Sequence, residues 1–458
     1  MSVVRITLLL ATIVAVLERP AHAGAIELDR ATASILIHPR VDVVRDEGGR
    51  LTLEEVRGRF DRSTVGAYSF GFTNAAYWYR FTIANRSTST LTRLLVFRTP
   101  WLDRVVLYEP RANGRYRTRT FGDRLPFHQR ELDHRCFVLR LEIPRGETTY
   151  YARLQVSQAF MTPISLWQPE AFRVDDSRRS HYFGAIYGVI LVMLLYNLFI
   201  FLSIRDTRYL YYCFYLFAFG LMNVSYNGYS FAYLWPNAPT FSNWTYSSWI
   251  FLFQLTGLLF AIKFLETRKR SPRLHAVVLG VCGVMCATWG GSMLFGLELI
   301  YNASAVFFVS LYSPLVALAG IVVWRTGYRA ARFFVVASLA TLVGSFVTAA
   351  TAAGFIRYSF ATFHATEFGL MIDITLLSFA LADRLRLAQA EHELAQKQTR
   401  SALETLVHER TAELESEPDR AEELARTDPQ TKLANRRALE EQIARKFERA
   451  RRYSRDLS

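Results

Sequence analysis

The sequence predicts a multidomain membrane protein: an extracytoplasmic β-sandwich or jelly roll, a seven-helix transmembrane bundle and a cytoplasmic signalling helix. Three observations lead there. The chain has 458 residues, 51% of them hydrophobic, and the apolar ones concentrate in one central block. That block divides into seven stretches, each near the roughly 20 residues a bilayer-crossing helix needs. Ahead of it the pattern has period two with frequent turn residues; behind it the chain is charged and lacks Gly over 383–426. So large an apolar share excludes disorder as the main state. Four cysteines in 458 residues exclude a disulfide scaffold.

Residues 1–23 carry one early charge, Arg5, an apolar run from Ile6 to Leu17, and the small-x-small site Ala21-His22-Ala23. This is the three-part pattern of a secretory signal peptide. A short uncleaved anchor is the alternative. Cleavage would start the mature chain near Gly24 and leave 24–175 outside the cytoplasm.

Residues 24–175 read as many short strands. Tyr77 to Ile83, Leu94 to Arg98, Val105 to Tyr108, Cys136 to Ile143, Tyr150 to Val156 and Ile164 to Trp167 are strands, and Asn113-Gly114 is a hairpin turn. Strands without intervening helices argue a sandwich or jelly roll. Its aromatics could stack on sugar rings or hold apolar ligands. The ligand-binding candidates are Trp78, Tyr79, Trp101 and Trp167, with Arg80 and Asp103 as polar partners; core packing is the competing role for each. Asn85-Arg86-Ser87 fits an N-glycosylation acceptor. Cys136 is the one cysteine in this region, so no internal disulfide can form there.

The transmembrane domain, 180–384, has its apolar stretches at about 183–204, 209–229, 244–265, 276–297, 303–324, 332–354 and 361–382. The first, third and fifth connections carry Arg205, Arg208, Lys263, Arg268, Lys269, Arg270, Arg273, Arg325, Arg329 and Arg332; the even ones carry Arg357 alone. The positive-inside rule then puts odd connections in the cytoplasm. The expected placement is multipass in the cell inner membrane, with the N-terminal domain periplasmic and the C-terminus cytoplasmic. Arg178 and Arg179 run against the rule. Lys and Arg number 54 against 40 Asp and Glu, a net charge of +14; most of it is membrane topology, not a nucleic-acid footprint. Intramembrane polar groups are costly and carry a functional hypothesis. Asn197, Glu367 and Asp373 are the candidates, beside Asn223, Gln254 and His364, with interhelical hydrogen bonding as the plainer role. Cys282 and Cys286 have no partner ligands nearby, so no metal site is expected. No broken-helix repeat of a transporter is visible.

Residues 385–426 continue the last span as a linker or coiled-coil helix with a weak seam, Leu394, Ala402, Leu406 and Leu414. Pro418 is expected to kink or end it. Residues 427–458 open with Thr427-Asp428-Pro429-Gln430-Thr431-Lys432-Leu433-Ala434-Asn435-Arg436-Arg437, then an amphipathic helix, Ala438 to Tyr453.

Several of these runs resemble one family, the bacterial seven-helix receptors with diverse intracellular signalling modules (7TMR-DISM). They are Gly71-Phe72-Thr73 through Phe81, Gly122-Asp123-Arg124-Leu125-Pro126-Phe127, Leu166 to Phe172, Tyr196-Asn197-Leu198-Phe199 with Arg205-Asp206, Tyr209-Leu210-Tyr211-Tyr212, Tyr233-Leu234-Trp235-Pro236 and Leu381-Ala382-Asp383-Arg384. The resemblance implies a sensor whose outer domain takes a small-molecule or carbohydrate-like ligand and which works as a homodimer in the membrane.

Residues 427–437 are similar to the opening of a GGDEF diguanylate cyclase domain. Thr427, Asp428, Thr431, Leu433, Asn435, Arg436 and Arg437 match, while Gln430 replaces the usual Leu and Lys432 the usual Gly. The sequence stops before the metal-binding Asp and the G-G-[DE]-E-F loop, so it holds no catalytic residue of that domain, and Mg and GTP are expected only if a full GGDEF domain follows. The expectation is a receptor whose cyclase-type output is incomplete in this chain. The alternative is a fragment of a membrane-bound diguanylate cyclase making cyclic di-GMP from two GTP. A transporter is a third option.

Overall fold

A computed structural model describes residues 24–60, 64–65, 69–111, 113–158, 160–328, 330–352, 355–429 and 431–453. The signal-peptide reading of 1–23 lies outside these residues, as do Arg329 and Gln430. The described residues up to Ala382 form one compact unit, and those from Asp383 a second.

The first unit begins with two facing sheets. Its strands are β1 (Ile26–Leu28), β2 (Ser34–Leu36), β3 (Asp42–Asp46), β4 (Thr64–Val65), β5 (Ser69–Gly71), β6 (Ala76–Asn85), β7 (Leu91–Phe97), β8 (Arg104–Pro110), β9 (Tyr116–Phe121), β10 (Phe137–Ile143), β11 (Gly146–Gln155), β12 (Phe160–Met161) and β13 (Ile164–Trp167). One sheet runs β4-β3-β6-β11-β8-β9, with β1 parallel to the end of β6; the other runs β10-β7-β13-β2. β5 and β12 make a separate ribbon.

Strand alternation decides what enters the core. Tyr77, Tyr79, Phe81 and Ile83 of β6 face Leu91, Leu95 and Phe97 of β7 and Phe137, Leu139 and Leu141 of β10. The opposite face of β6 presents Trp78, which packs with Val56 of helix α1 (Leu53–Arg57) and with Phe60. That helix is held by a capping box between Thr52 and Glu55. The β8–β9 hairpin turns at Asn113-Gly114, where Gly114 takes φ +75. Asn85 is buried and its Nδ2 donates to the Ser89 and Ile143 carbonyls at 2.9 and 3.0 Å. That side chain is structural and unavailable to a glycan.

The helices that follow are α2 (Pro169–Ile204), α3 (Thr207–Tyr226), α4 (Tyr229–Tyr233), α5 (Pro239–Phe264), α6 (Thr267–Arg270), α7 (Pro272–Leu294), α8 (Glu298–Arg325), α9 (Ala331–Ala352), α10 (Phe360–Phe363) and α11 (Ala365–Arg426). Pro169 at the first turn of α2 starts that helix well ahead of position 183, since proline's fixed φ suits a helix start. Among the described residues, six of the seven apolar stretches lie mainly on one helix each, and the last, 361–382, is divided between α10 and α11. Six helices among the described residues, α2, α5, α7, α8, α9 and the first part of α11, are long and apolar enough to cross a membrane. Helix α3 is outside that set, and its surroundings explain why. Of its 20 residues only Thr207, Phe214 and Phe217 are exposed. A helix enclosed by protein has little lipid to match and can carry tyrosines and asparagines that bond its neighbours.

The connections sort to two ends. Arg208 of the first pairs with Glu266 of the third at 2.8 Å, and Arg270 of the third lies 4.1 Å over the Tyr328 ring of the fifth. The second, fourth and sixth meet the β-domain instead, through Asn227, Glu298 and Tyr358. The parity read from the charges is therefore the parity of the fold.

In the second unit, α11 continues through Pro418 to Arg426, so of the kink or end expected there, the end does not occur. One proline removes a single i→i−4 bond, and the Ala-, Glu- and Leu-rich turns on both sides carry the helix across it. Ion pairs Arg400–Glu404 (3.0 Å) and Arg410–Glu413 (2.7 Å) line its surface. Helix α12 (Arg436–Tyr453) follows a tight turn.

Candidate functional site

The chemistry concentrates where the even connections meet the β-domain. The apolar core between the sheets does not close on itself. Phe363 belongs to it, and Tyr226, Tyr246 and Tyr358 pack against it. Trp101, just after β7, is buried with its ring 4.8 Å from Tyr226 and 5.5 Å from Tyr246. The helices thus supply side chains that the sandwich needs.

Two polar clusters flank this joint. In the first, Arg124 contacts Asp103 at 3.5 Å and also pairs with Glu298 at the start of α8. Ser157 donates its N–H to Asp103 at 2.9 Å and its hydroxyl to Glu298 at 3.3 Å. Asn302 of α8 donates to the Ser157 carbonyl at 3.3 Å. The backbone at Gly122 makes the approach possible: a Cβ there would sit 2.7 Å from the Asp103 carbonyl carbon and 2.9 Å from Arg104 Cα. Next to it, Asp123 is buried with Oδ1 unpartnered. Burial, reinforced by the charge of Asp103, pushes its carboxyl up to about 8.

The second cluster is basic. Arg98 and Arg179 share Asp175, at 2.5 and 2.7 Å. This pairing explains why Arg179 is tolerated at the end where the positive-inside rule disfavours it. Arg135 donates to the Asn227 carbonyl at 3.2 Å and lies over the Phe183 and Tyr229 rings at 4.9 and 5.2 Å. His134 accepts the Cys136 N–H on Nδ1 at 3.0 Å and gives its Nε2 proton to Asp176 at 2.9 Å. Burial opposes ionisation of the Cys136 thiol, yet the charge of Arg135, with His134 and Arg98, draws it down to about 6. A small cavity at this point is lined by Arg98, Arg135, Arg179, Cys136, Tyr358 and His364 among others.

Below this, α3 and α11 share a polar seam. Asn227, just beyond α3, donates to Glu367 at 3.3 Å, and His364 Nδ1 lies 3.0 Å from the same oxygen. Tyr215 donates to Asp373 at 2.9 Å. Tyr212 donates to the Ile374 carbonyl, and Ser378 joins Tyr212 (3.3 Å) to Asn197 (3.3 Å). Tyr209 donates to the Leu381 carbonyl at 3.1 Å. Asn197, Glu367 and Asp373 thus lie on one interhelical seam, at separate levels.

The six sandwich candidates fare differently. Trp78, Tyr79, Trp101 and Asp103 are buried and present no open stacking face; Arg80 and Trp167 are half-buried. Trp78 and Tyr79 sit on opposite faces of β6 as core residues, because adjacent strand positions alternate. Arg80 pairs with Asp42 at 2.9 Å, and Trp167 packs beneath the Arg98 guanidinium at 5.4 Å. Sequence reasoning missed Arg98, Arg135 and Glu298; Asp123 and Arg124 lay within a quoted run but were given no role. Among the described residues, no group of three or more His, Cys, Asp or Glu could hold a metal.

In the second unit, Asp428 Oδ1 accepts the Thr431 N–H and hydroxyl at 2.9 and 3.0 Å. Asn435 caps α12 through the Ala438 N–H at 3.0 Å. Arg436 and Arg437 pair with Glu440 and Glu441 at 2.9 and 3.6 Å, and Leu433 is exposed. Lys432 holds φ +58. The turn that a glycine would make freely forms here with a lysine.

A β-sheet domain seated on helices of membrane length, through a buried polar and aromatic joint, is the build of a membrane receptor. Residues 38–168 match the family model described as 7TMR-DISM extracellular 2, and residues 179–384 match that of the 7TM diverse intracellular signalling domain. The chain belongs to the 7TMR-DISM family, so it is a membrane sensory receptor with an extracellular domain. No curated protein matches the sequence.

Proposed function

We propose that this receptor spans the inner membrane seven times, receives a small-molecule or carbohydrate-like ligand on its periplasmic sandwich, and drives a cytoplasmic diguanylate cyclase-type output as a homodimer. The observation that carries the reading is the joint at Trp101. A ligand that alters the sandwich has to alter the packing on Tyr226 and Tyr246, at the head of α3 and in α5. From α3 the tyrosine seam reaches α11 down to Leu381. Arg80 and Trp167, the half-buried members of the candidate set, are the places where a ligand can touch the sandwich first. Leu394, Leu406 and Leu414 are exposed along α11 and supply an apolar strip for a second copy. The turn at 427–435 supports the cyclase-type output.

The test joins residues 1–426 to an intact GGDEF domain and reads cyclic di-GMP at equal membrane abundance. Trp101→Ala and Arg124→Gln are expected to shift basal output several-fold. Output equal to the unsubstituted chimera in both variants refutes transmission through the joint. Cysteine cross-linking at Leu406 tests the dimer.

A further inference from the structure

In the basic cluster at the joint, arginines border a small cavity and one of their buried donors is unmet. Among the described residues, three guanidiniums line the cavity and no carboxylate does. One carboxylate oxygen of Asp175 serves both Arg98 and Arg179. Asp176 is taken up by His134. Glu367 is engaged by Asn227 and lies beside His364. Arg135 has a backbone carbonyl and two ring faces for company. The Arg98 side chain is 7% exposed, and its Nη1 is buried without a partner. An unpaired buried donor on a charged group is expensive, and a guanidinium does not shed its proton to escape the cost.

We propose that this cavity is a binding site for a small monovalent anion of chloride size, held between Arg98, Arg135 and Arg179. The size follows from the space: about 20 Å³ is open to a water-sized body, on the order of the ~10–15 Å³ that one water requires. The chemistry follows from the lining, which offers guanidinium donors and aromatic edges. The field at this point favours negative charge strongly enough to lower the buried Cys136 thiol. The Cys136 Sγ lies 3.6 Å from the Arg98 carbonyl oxygen, at the wall of the cavity. The anion would bridge the joint between sandwich and helices, touching Arg98 from β7's end, Arg135 ahead of β10 and Arg179 of α2. This site stands apart from the signalling reading and does not depend on it.

The experiment uses the purified full chain in lipid nanodiscs, with chloride replaced by gluconate at constant ionic strength. Expected is a saturable Tm rise of about 3 °C in chloride, lost in Arg98→Gln. Where Arg98→Gln does not fold, Arg135→Gln replaces it. Crystals grown in bromide give a second readout that needs no variant: an anomalous peak between the three guanidiniums. Equal Tm in chloride and gluconate, or no bromide peak in the cavity, overturns the proposal.

Discussion

Asp123 makes the stability of the joint depend on pH, and Asp123→Asn isolates the effect. Burial and the neighbouring Asp103 raise its carboxyl from an ordinary 3.8 to about 8. The folded protein therefore keeps the proton up to about pH 8, while the unfolded chain releases it near pH 4. Unfolding between those values releases one proton, so each rising pH unit costs about 1.4 kcal/mol at the limit. From pH 5 to 7 the loss approaches about 3 kcal/mol. Asparagine cannot ionise and keeps the shape, and its amide can donate to Asn243 Oδ1, which is buried without a partner. The assay is Tm of wild type and Asp123→Asn in detergent from pH 5 to 8. The difference between the two curves removes the contributions of His134, Cys136 and every other group they share. Wild type is expected to lose several degrees relative to the variant as pH rises. Parallel curves refute the argument.

Trp101→Ala should cost about 3–5 kcal/mol, the usual toll for truncating a buried aromatic, read as lost protection of the joint in hydrogen exchange. Gly122→Ala forces a Cβ onto the Asp103 backbone and should lower Tm by several degrees, while Gly114→Ala, with open space around it, should cost only the positive-φ strain of about 1 kcal/mol. Lys432→Gly should stabilise the second unit by about 1 kcal/mol, by relieving a left-handed lysine, visible as higher helicity on heating. Tyr215→Phe removes the donor to Asp373 and should cost about 1–2 kcal/mol in a denaturation titration.

The long strands and the apolar helices were legible in the sequence because each repeats one signal many times. Tyr79 to Ile83 alternates apolar with polar, and α7 beyond His275 and α9 beyond Arg332 carry no charge. What could not be read are features that depend on a distant partner. β1 and β2 have three residues each and exist as strands only through β6 and β13. Helix α3 reads as one more apolar stretch, and that its tyrosines bond α11 depends on partners 158 to 172 residues away. Trp101 and Asp103 were singled out for ligand chemistry, yet their partners, Tyr226 and Tyr246 for one and Ser157 for the other, lie far along the chain. Arg98 and Arg135 look like ordinary strand-edge arginines until α2 is folded over them. Arg124 sits in a run that carried the family resemblance, but its partner Glu298 is in another domain's helix. Pro418 does not end its helix, because the helix formers on both sides outweigh a single breaker.

The shared core also sets an order of assembly. β6 and β7 leave the ribosome long before Phe363, yet Phe363 completes the layer between their sheets. Until the connection after α9 has been exported, the sandwich waits with one end open where Tyr358 and Phe363 will pack. Secretion of the sandwich alone should therefore yield a protein that needs a holdase, and truncation before α10 should harm the outer domain as much as the bundle.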